Sequence, residues 1–135
     1  MKINYIDEDT LDIYIIKNRL DIDYSNESDV KELLKILNDK YNVNIEGFYD
    51  VVVYIDKYYG VVIHMERAKD YFNYYKDMDI RLSIKECNFL YQVDDYIKNK
   101  KIHIIDNNMY LEITDQCDLM YILENSNSIL YNYSK

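Results

Sequence analysis

The sequence predicts an α+β domain: a mainly antiparallel sheet built from hairpins, with an amphipathic helix over about 28–41 and a C-terminal helix packed on it. Three observations carry that expectation. Val30, Leu33, Leu34, Leu37 and Tyr41 recur at helical spacing. Several other runs alternate apolar and polar residues, the period of a half-buried strand. Residues that favour turns, Asp, Asn and Gly, separate those runs in pairs. A length of 135 residues fits a single domain spanning 1–135.

The elements follow in order. Residues 2–6 and 11–16 read as two strands joined at Asp7-Glu8-Asp9-Thr10, where Leu11, Ile13 and Ile15 alternate with Asp12, Tyr14 and Ile16. Ser28 or Asn26 can cap the helix, and Asp29 and Glu32 suit the positive end of its dipole. Residues 48–55 and 61–66 form a second hairpin, in which Gly60 can take a positive φ. Val51-Val52-Val53 and Val61-Val62-Ile63 are apolar on both faces, so these strands should be central. One face would be covered by the helix and the other by a second layer or a partner.

Residues 68–79 break the strand rhythm and read as a short helix or an ordered loop. Ile80, Leu82 and Ile84 then mark another strand. Phe89 to Val93 is too short an apolar run to choose between strand and helix. Residues 102–105 and 109–113 flank the turn Asp106-Asn107-Asn108. A last helix should start near Thr114 or Asp115 and carry Leu119, Ile122 and Leu123.

Composition narrows the function classes. The chain has 17 tyrosines, no tryptophan, no proline and two glycines, with a net charge of -9. The glycines, Gly47 and Gly60, cannot build a phosphate-binding loop. The favoured residues use AT-rich codons, which points to a low-GC bacterium or its phage. Lys and Arg total 16 against 25 Asp and Glu, so direct nucleic-acid binding is disfavoured. An acidic chain is steered instead toward basic proteins. No run approaches the ~18 apolar residues of a membrane span, and Met1 to Tyr5 lacks an apolar signal run. The expectation is a cytoplasmic protein of a bacterial cell or infected host cell, with no membrane partner.

Catalytic and metal chemistry find little support in the residue pattern. Cys87 and Cys117 have no metal spacing and are expected as free thiols. Cys117, near a helix start, is the better nucleophile candidate, but Asp115 and Asp118 oppose a thiolate there. His64 and Glu66 share a strand face at a spacing that could give two ligands, and His103 sits in another strand. Asp94-Asp95 and Asp7-Glu8-Asp9 lack the calcium-loop pattern and read as solvated turns. No catalytic residue, metal site or cofactor is expected.

Tyrosine clusters are the remaining signal: Tyr58-Tyr59, residues 71–75 and Tyr131-Asn132-Tyr133. Tyrosine offers large contact area at low entropy cost, and neighbouring carboxylates can pair with Arg or Lys on a partner. The partner-binding set is therefore Asp56, Tyr58, Tyr59, Asp70, Tyr71, Tyr74, Tyr75, Asp77 and Asp79. The competing explanation is that tyrosine is simply the bulky core residue of a chain without tryptophan, as positions such as Tyr41 and Tyr110 suggest.

The expected function is a non-enzymatic acidic inhibitor or regulator that occupies the basic nucleic-acid groove of a partner. Small acidic proteins of phages and mobile elements, anti-CRISPR proteins among them, share this composition. The opening Met1-Lys2-Ile3 through Asp9-Thr10, the amphipathic helix, then Glu46-Gly47 and a valine strand is similar to the N-terminal half of MecA-type adaptor proteins. That resemblance spans about half the chain, lacks the acidic linker, and implies an adaptor that binds a Clp-family ATPase. A ligand-binding or hydrolytic enzyme without a recognisable motif is the third class. A homodimer built on the two-sided apolar hairpin is also open.

Overall fold

Alternation sets the strands and their faces. In the computed structural model, which describes residues 2–16, 21–68, 77–93, 102–113 and 128–131, the elements are β1 (Lys2–Tyr5), β2 (Thr10–Ile16), α1 (Glu27–Tyr41), β3 (Phe48–Asp56), β4 (Gly60–Arg67), β5 (Asp79–Cys87), β6 (Leu90–Val93), β7 (Ile102–Ile105), β8 (Asn108–Leu111) and β9 (Ile129–Leu130). The α+β class and the predominance of antiparallel pairing are as expected. The single sheet is not. There are two, a five-stranded sheet of order β1-β2-β4-β3-β5 and a four-stranded sheet of order β7-β8-β6-β9.

Pairing within them is antiparallel except at β5, which runs parallel to β3 from Phe48↔Asp79 to Asp56↔Cys87. Alternation marks this strand but not its partner. Here β4 already fills one edge of β3, so the strand after it must pass the start of β3 and dock on the free edge. The anchors are Ala68 N, which donates to Phe48 O, and Asp79 N, which donates to Gly47 O. The short helix or loop expected at 68–79 has its centre, 69–76, outside the described residues. The expected C-terminal helix likewise lies outside them, and α1 is the single helix among the described residues.

Asn26, not Ser28, caps α1: its side chain accepts from Ser28 N at 2.9 Å and Asp29 N at 3.3 Å. Asn42 ends the helix in the left-handed conformation, φ 56°. Val30, Leu33, Leu34 and Leu37 are buried against the sheet, whereas Tyr41 at the last turn is 58% exposed. Its helical spacing was right, but the chain turns away at Asn42 before the sheet can cover it. Asp106 and Asn107, at φ 50° and 65°, make the two-residue turn that primed hairpins require.

Gly60 does not take the expected positive φ; Gly47 does, at 92°. Gly60 is needed for space. A Cβ there would lie 2.8 Å from Phe89 Cδ2 and 3.0 Å from Tyr14 Cε2.

Two cores result. Leu11, Ile13, Ile15, Val51, Val53, Val61, Ile63 and Met65 face α1 and form an almost wholly aliphatic layer. Tyr14 and Val62, on the opposite face, pack against Phe89, Tyr91, Val93, Leu111 and Ile113 of the second unit. The second layer expected over the valine strands is therefore the four-stranded sheet.

Candidate functional site

Register shows what the second sheet leaves uncovered. Along β2 and β4, Tyr14 pairs with Val62 under the second sheet, while Asp12 pairs with His64 and Thr10 with Glu66 further along the same face. β3 and β5 continue the outer row through Asp50 and Arg81. One half of this face is thus aromatic and buried, the other half polar.

The polar half ends at the β1–β2 turn. That turn closes through the amides of Ile6 and Asp7 on Thr10 O, and Asp7 Oδ1 accepts from Asp9 N at 2.8 Å. It projects Asp7, Glu8 and Asp9 into solvent. Together with Thr10, Asp50, Glu66 and Arg67 they line a concavity of about 560 Å³. Five of those seven residues are acidic, so the concavity is negative. Arg67 Nε sits 3.2 Å from Asp9 Oδ1, and Arg67 also donates to Tyr49 Oη. Arg81 forms a two-pronged ion pair with Asp50. The Arg81 hydrogen bond holds the Asp50 carboxyl below the usual range.

Beside the concavity lies a linked cluster. His64 Nδ1 is 2.5 Å from Asp12 Oδ1, and its Nε2 is 3.1 Å from Glu66 Oε1. Tyr131, just after β9, donates to Asp12 Oδ2 at 2.6 Å. The Asp12 hydrogen bond, opposed by burial and helped by Glu66, raises the His64 pKa above its ordinary value. Burial, then the bond to Asp12, strongly raises that of Tyr131.

Because the carboxylates engage opposite nitrogens of the ring, they cannot converge on one ion. Among the described residues no group of three or more His, Cys, Asp or Glu could hold a metal. Both ring nitrogens are engaged by carboxylates. His103 Nε2 lies 2.8 Å from Glu112 Oε1.

Of the sequence-derived partner set, the described residues Asp56, Tyr58 and Tyr59 lie at one end of β3 and Asp79 at the other. Asp56 is 2% exposed. Its carboxylate accepts from the amides of Tyr58, Tyr59 and Phe89 at 3.3, 3.2 and 2.8 Å. It ties the β3–β4 turn to the second sheet and cannot present its charge outward. Tyr58 and Tyr59 are half-buried with ring centroids 6.3 Å apart, and Tyr59 packs on the aromatic core. Asp79, at the other end of β3, pairs with Lys31 at 3.1 Å. That bond and the Ile80 amide lower its pKa. Asp77 is exposed. The two ends of β3 are about 26 Å apart by strand rise. Asp70, Tyr71, Tyr74 and Tyr75 lie outside the described residues, whose flanking anchors Ala68 and Asp79 are at the acidic end.

Sequence reasoning noted the acidic turn and the shared face of His64 and Glu66. It did not join Asp12, Asp50 or Tyr131 to them, because these meet only through strand pairing and the return of β9. Cys87 is a free thiol whose pKa burial raises to about 11, so it is protonated at neutral pH and a poor nucleophile. Cys117 lies outside the described residues. Among the described residues no helix is long and apolar enough to cross a membrane. In comparisons with known proteins, no family model, curated protein or solved structure matched the chain.

Proposed function

We propose that the protein is a non-enzymatic, protein-binding inhibitor or regulator whose acidic end occupies a basic surface of its partner, of the kind that otherwise holds nucleic acid. The observation that supports this best is the convergence of Asp7, Glu8, Asp9, Asp50 and Glu66 around one concavity. A surface built to attract phosphates attracts a carboxylate array for the same electrostatic reason. The arginines within the array are paired to Asp9 and Asp50, so they shape it while the remaining carboxylates face solvent. An AT-biased composition and a net charge of -9 fit an anti-defence protein of a phage or mobile element, in the manner of anti-CRISPR proteins.

Affinity capture from cells that hold the natural partner tests the reading. The wild-type chain should retain a basic protein, with retention falling as salt rises, and should displace nucleic acid from it. The triple variant Asp7→Lys, Glu8→Lys, Asp9→Lys should lose it. Undiminished capture by that variant at low salt would overturn the proposal.

A further inference from the structure

His64 stands between the buried face of the sheet and the acidic concavity, and its two nitrogens meet two carboxylates of unequal freedom. Asp12, on β2, is held by Tyr131 as well as by His64. Glu66 is exposed, and its described polar partner is His64. Only an imidazolium carries a proton on both nitrogens. The neutral ring can keep Asp12, through the Nδ1–H tautomer, but its Nε2 then presents a lone pair to Glu66. The exposed carboxylate is therefore the one released. Glu66 also lines the acidic concavity.

From this geometry we infer that His64 is a proton-operated regulator of the acidic docking surface: protonated, it tethers and offsets Glu66; deprotonated, it frees that carboxylate for a basic partner. The inference rests on the acidic end being the docking surface. Binding should strengthen as pH rises.

The surrounding groups are accounted for. Asp12 faces the ring from β2, Glu66 from its own strand, and Tyr131 from the segment after β9. Tyr54 on β3 lies within the field of Asp12 and Glu66, which help raise its pKa after burial has done most. Lys2 and Asn4 of β1 line a smaller cavity beside Asp12, and Asp50 and Arg81 in the next row are paired with each other. The His64 pKa lies above its ordinary value, so the change falls on the alkaline side of about pH 6.5.

An oligoarginine peptide is the suitable probe, since its own charge does not titrate in this range. Its affinity for the wild-type chain should rise about twofold to fivefold from about pH 6 to about pH 9, the effect of one nearby charge in water. In His64→Gln the rise should disappear, and in Glu66→Gln, where the imidazole still loses its charge, it should shrink. In parallel, the His64 ring is titrated by NMR in the wild type, Asp12→Asn and Glu66→Gln. Its pKa should exceed the ordinary value in the wild type and fall in both variants. An unraised pKa, or a pH dependence equal in His64→Gln and wild type, overturns the inference. A peptide that binds at no pH counts against the acidic docking surface itself. In that case the ring titration still decides whether His64 holds Glu66.

Discussion

The two faces of the five-stranded sheet solve the same burial problem with different side chains. Toward α1 the sheet offers Val, Ile, Leu and Met, and the helix answers with Val30, Leu33, Leu34 and Leu37. Toward the second sheet it offers Tyr14, Tyr54, Asp56 and Gly60, met by Phe89, Tyr91 and Tyr131. The first face is sealed by apolar packing. On the second, aromatic packing is combined with hydrogen bonds, and cover stops halfway. Tyrosine suits such a margin because its ring packs while its hydroxyl finds a partner. Tyr14 and Tyr91 pair their hydroxyls at 2.9 Å with rings edge to face. Burial lifts the Tyr14 pKa to about 12. The difference teaches that the sealed face is held by apolar packing, that the other depends on buried hydrogen bonds as well, and that the polar groups facing solvent lie on the latter.

That contrast has measurable consequences, the largest at Asp56. Truncation to Ala strands one buried and two partly buried amides. With each charged hydrogen bond worth roughly 1.5–3 kcal/mol, Asp56→Ala should cost about 4 kcal/mol in urea unfolding. A cost under about 1 kcal/mol would show that the second face does not depend on its polar core. Next, Leu34→Ala on the sealed face should cost about 3 kcal/mol by the same assay. A much smaller loss would remove the claim that this face carries the packing energy.

Tyr91→Phe should cost about 1–2 kcal/mol by leaving the Tyr14 hydroxyl unpaired, and adding Tyr14→Phe should recover part of it. Strictly additive losses would contradict the pairing. A pH effect is smaller still. Because the folded His64 pKa is raised, its contribution is fully present below about pH 6.5. It is lost as pH climbs through the raised value. Unfolding midpoints should fall slightly across that window in the wild type and stay flat in His64→Gln.

Much of this was legible in the sequence, for identifiable reasons. Strand positions and the helix face follow from local periodicity, and the Asp106-Asn107 turn from residues that tolerate positive φ. The apolar character of Val51–Val53 and Val61–Ile63 on both faces announced that the second face is covered too, by a second layer or a partner. Its identity, and the parallel docking of β5, depend on which strand edges are already occupied, which periodicity does not encode. Asp56 looked like a loop carboxylate beside two tyrosines. Nothing local reveals that Phe89 donates its amide from the second unit. His64 and Glu66 were visible as a pair on one strand, but Asp12 lies 52 residues away from His64 in the chain and Tyr131 lies 67. Only pairing of β2 with β4, and the return of β9, assembles them.

The central claim is that the half-covered face ends in the surface that engages a basic partner, and that total charge alone does not explain binding. Two triple variants separate these. Asp7→Lys, Glu8→Lys, Asp9→Lys reverses the acidic end, and Glu27→Lys, Glu32→Lys, Asp39→Lys reverses exposed positions on α1 with the same change in net charge. Both should stay folded, since all six residues are exposed, although the first variant also loses the Asp7 turn bond and the Asp9–Arg67 pair. Affinity for an oligoarginine peptide, measured by calorimetry at low and high salt, should collapse in the first variant and fall only slightly in the second. Equal losses in both would contradict the account.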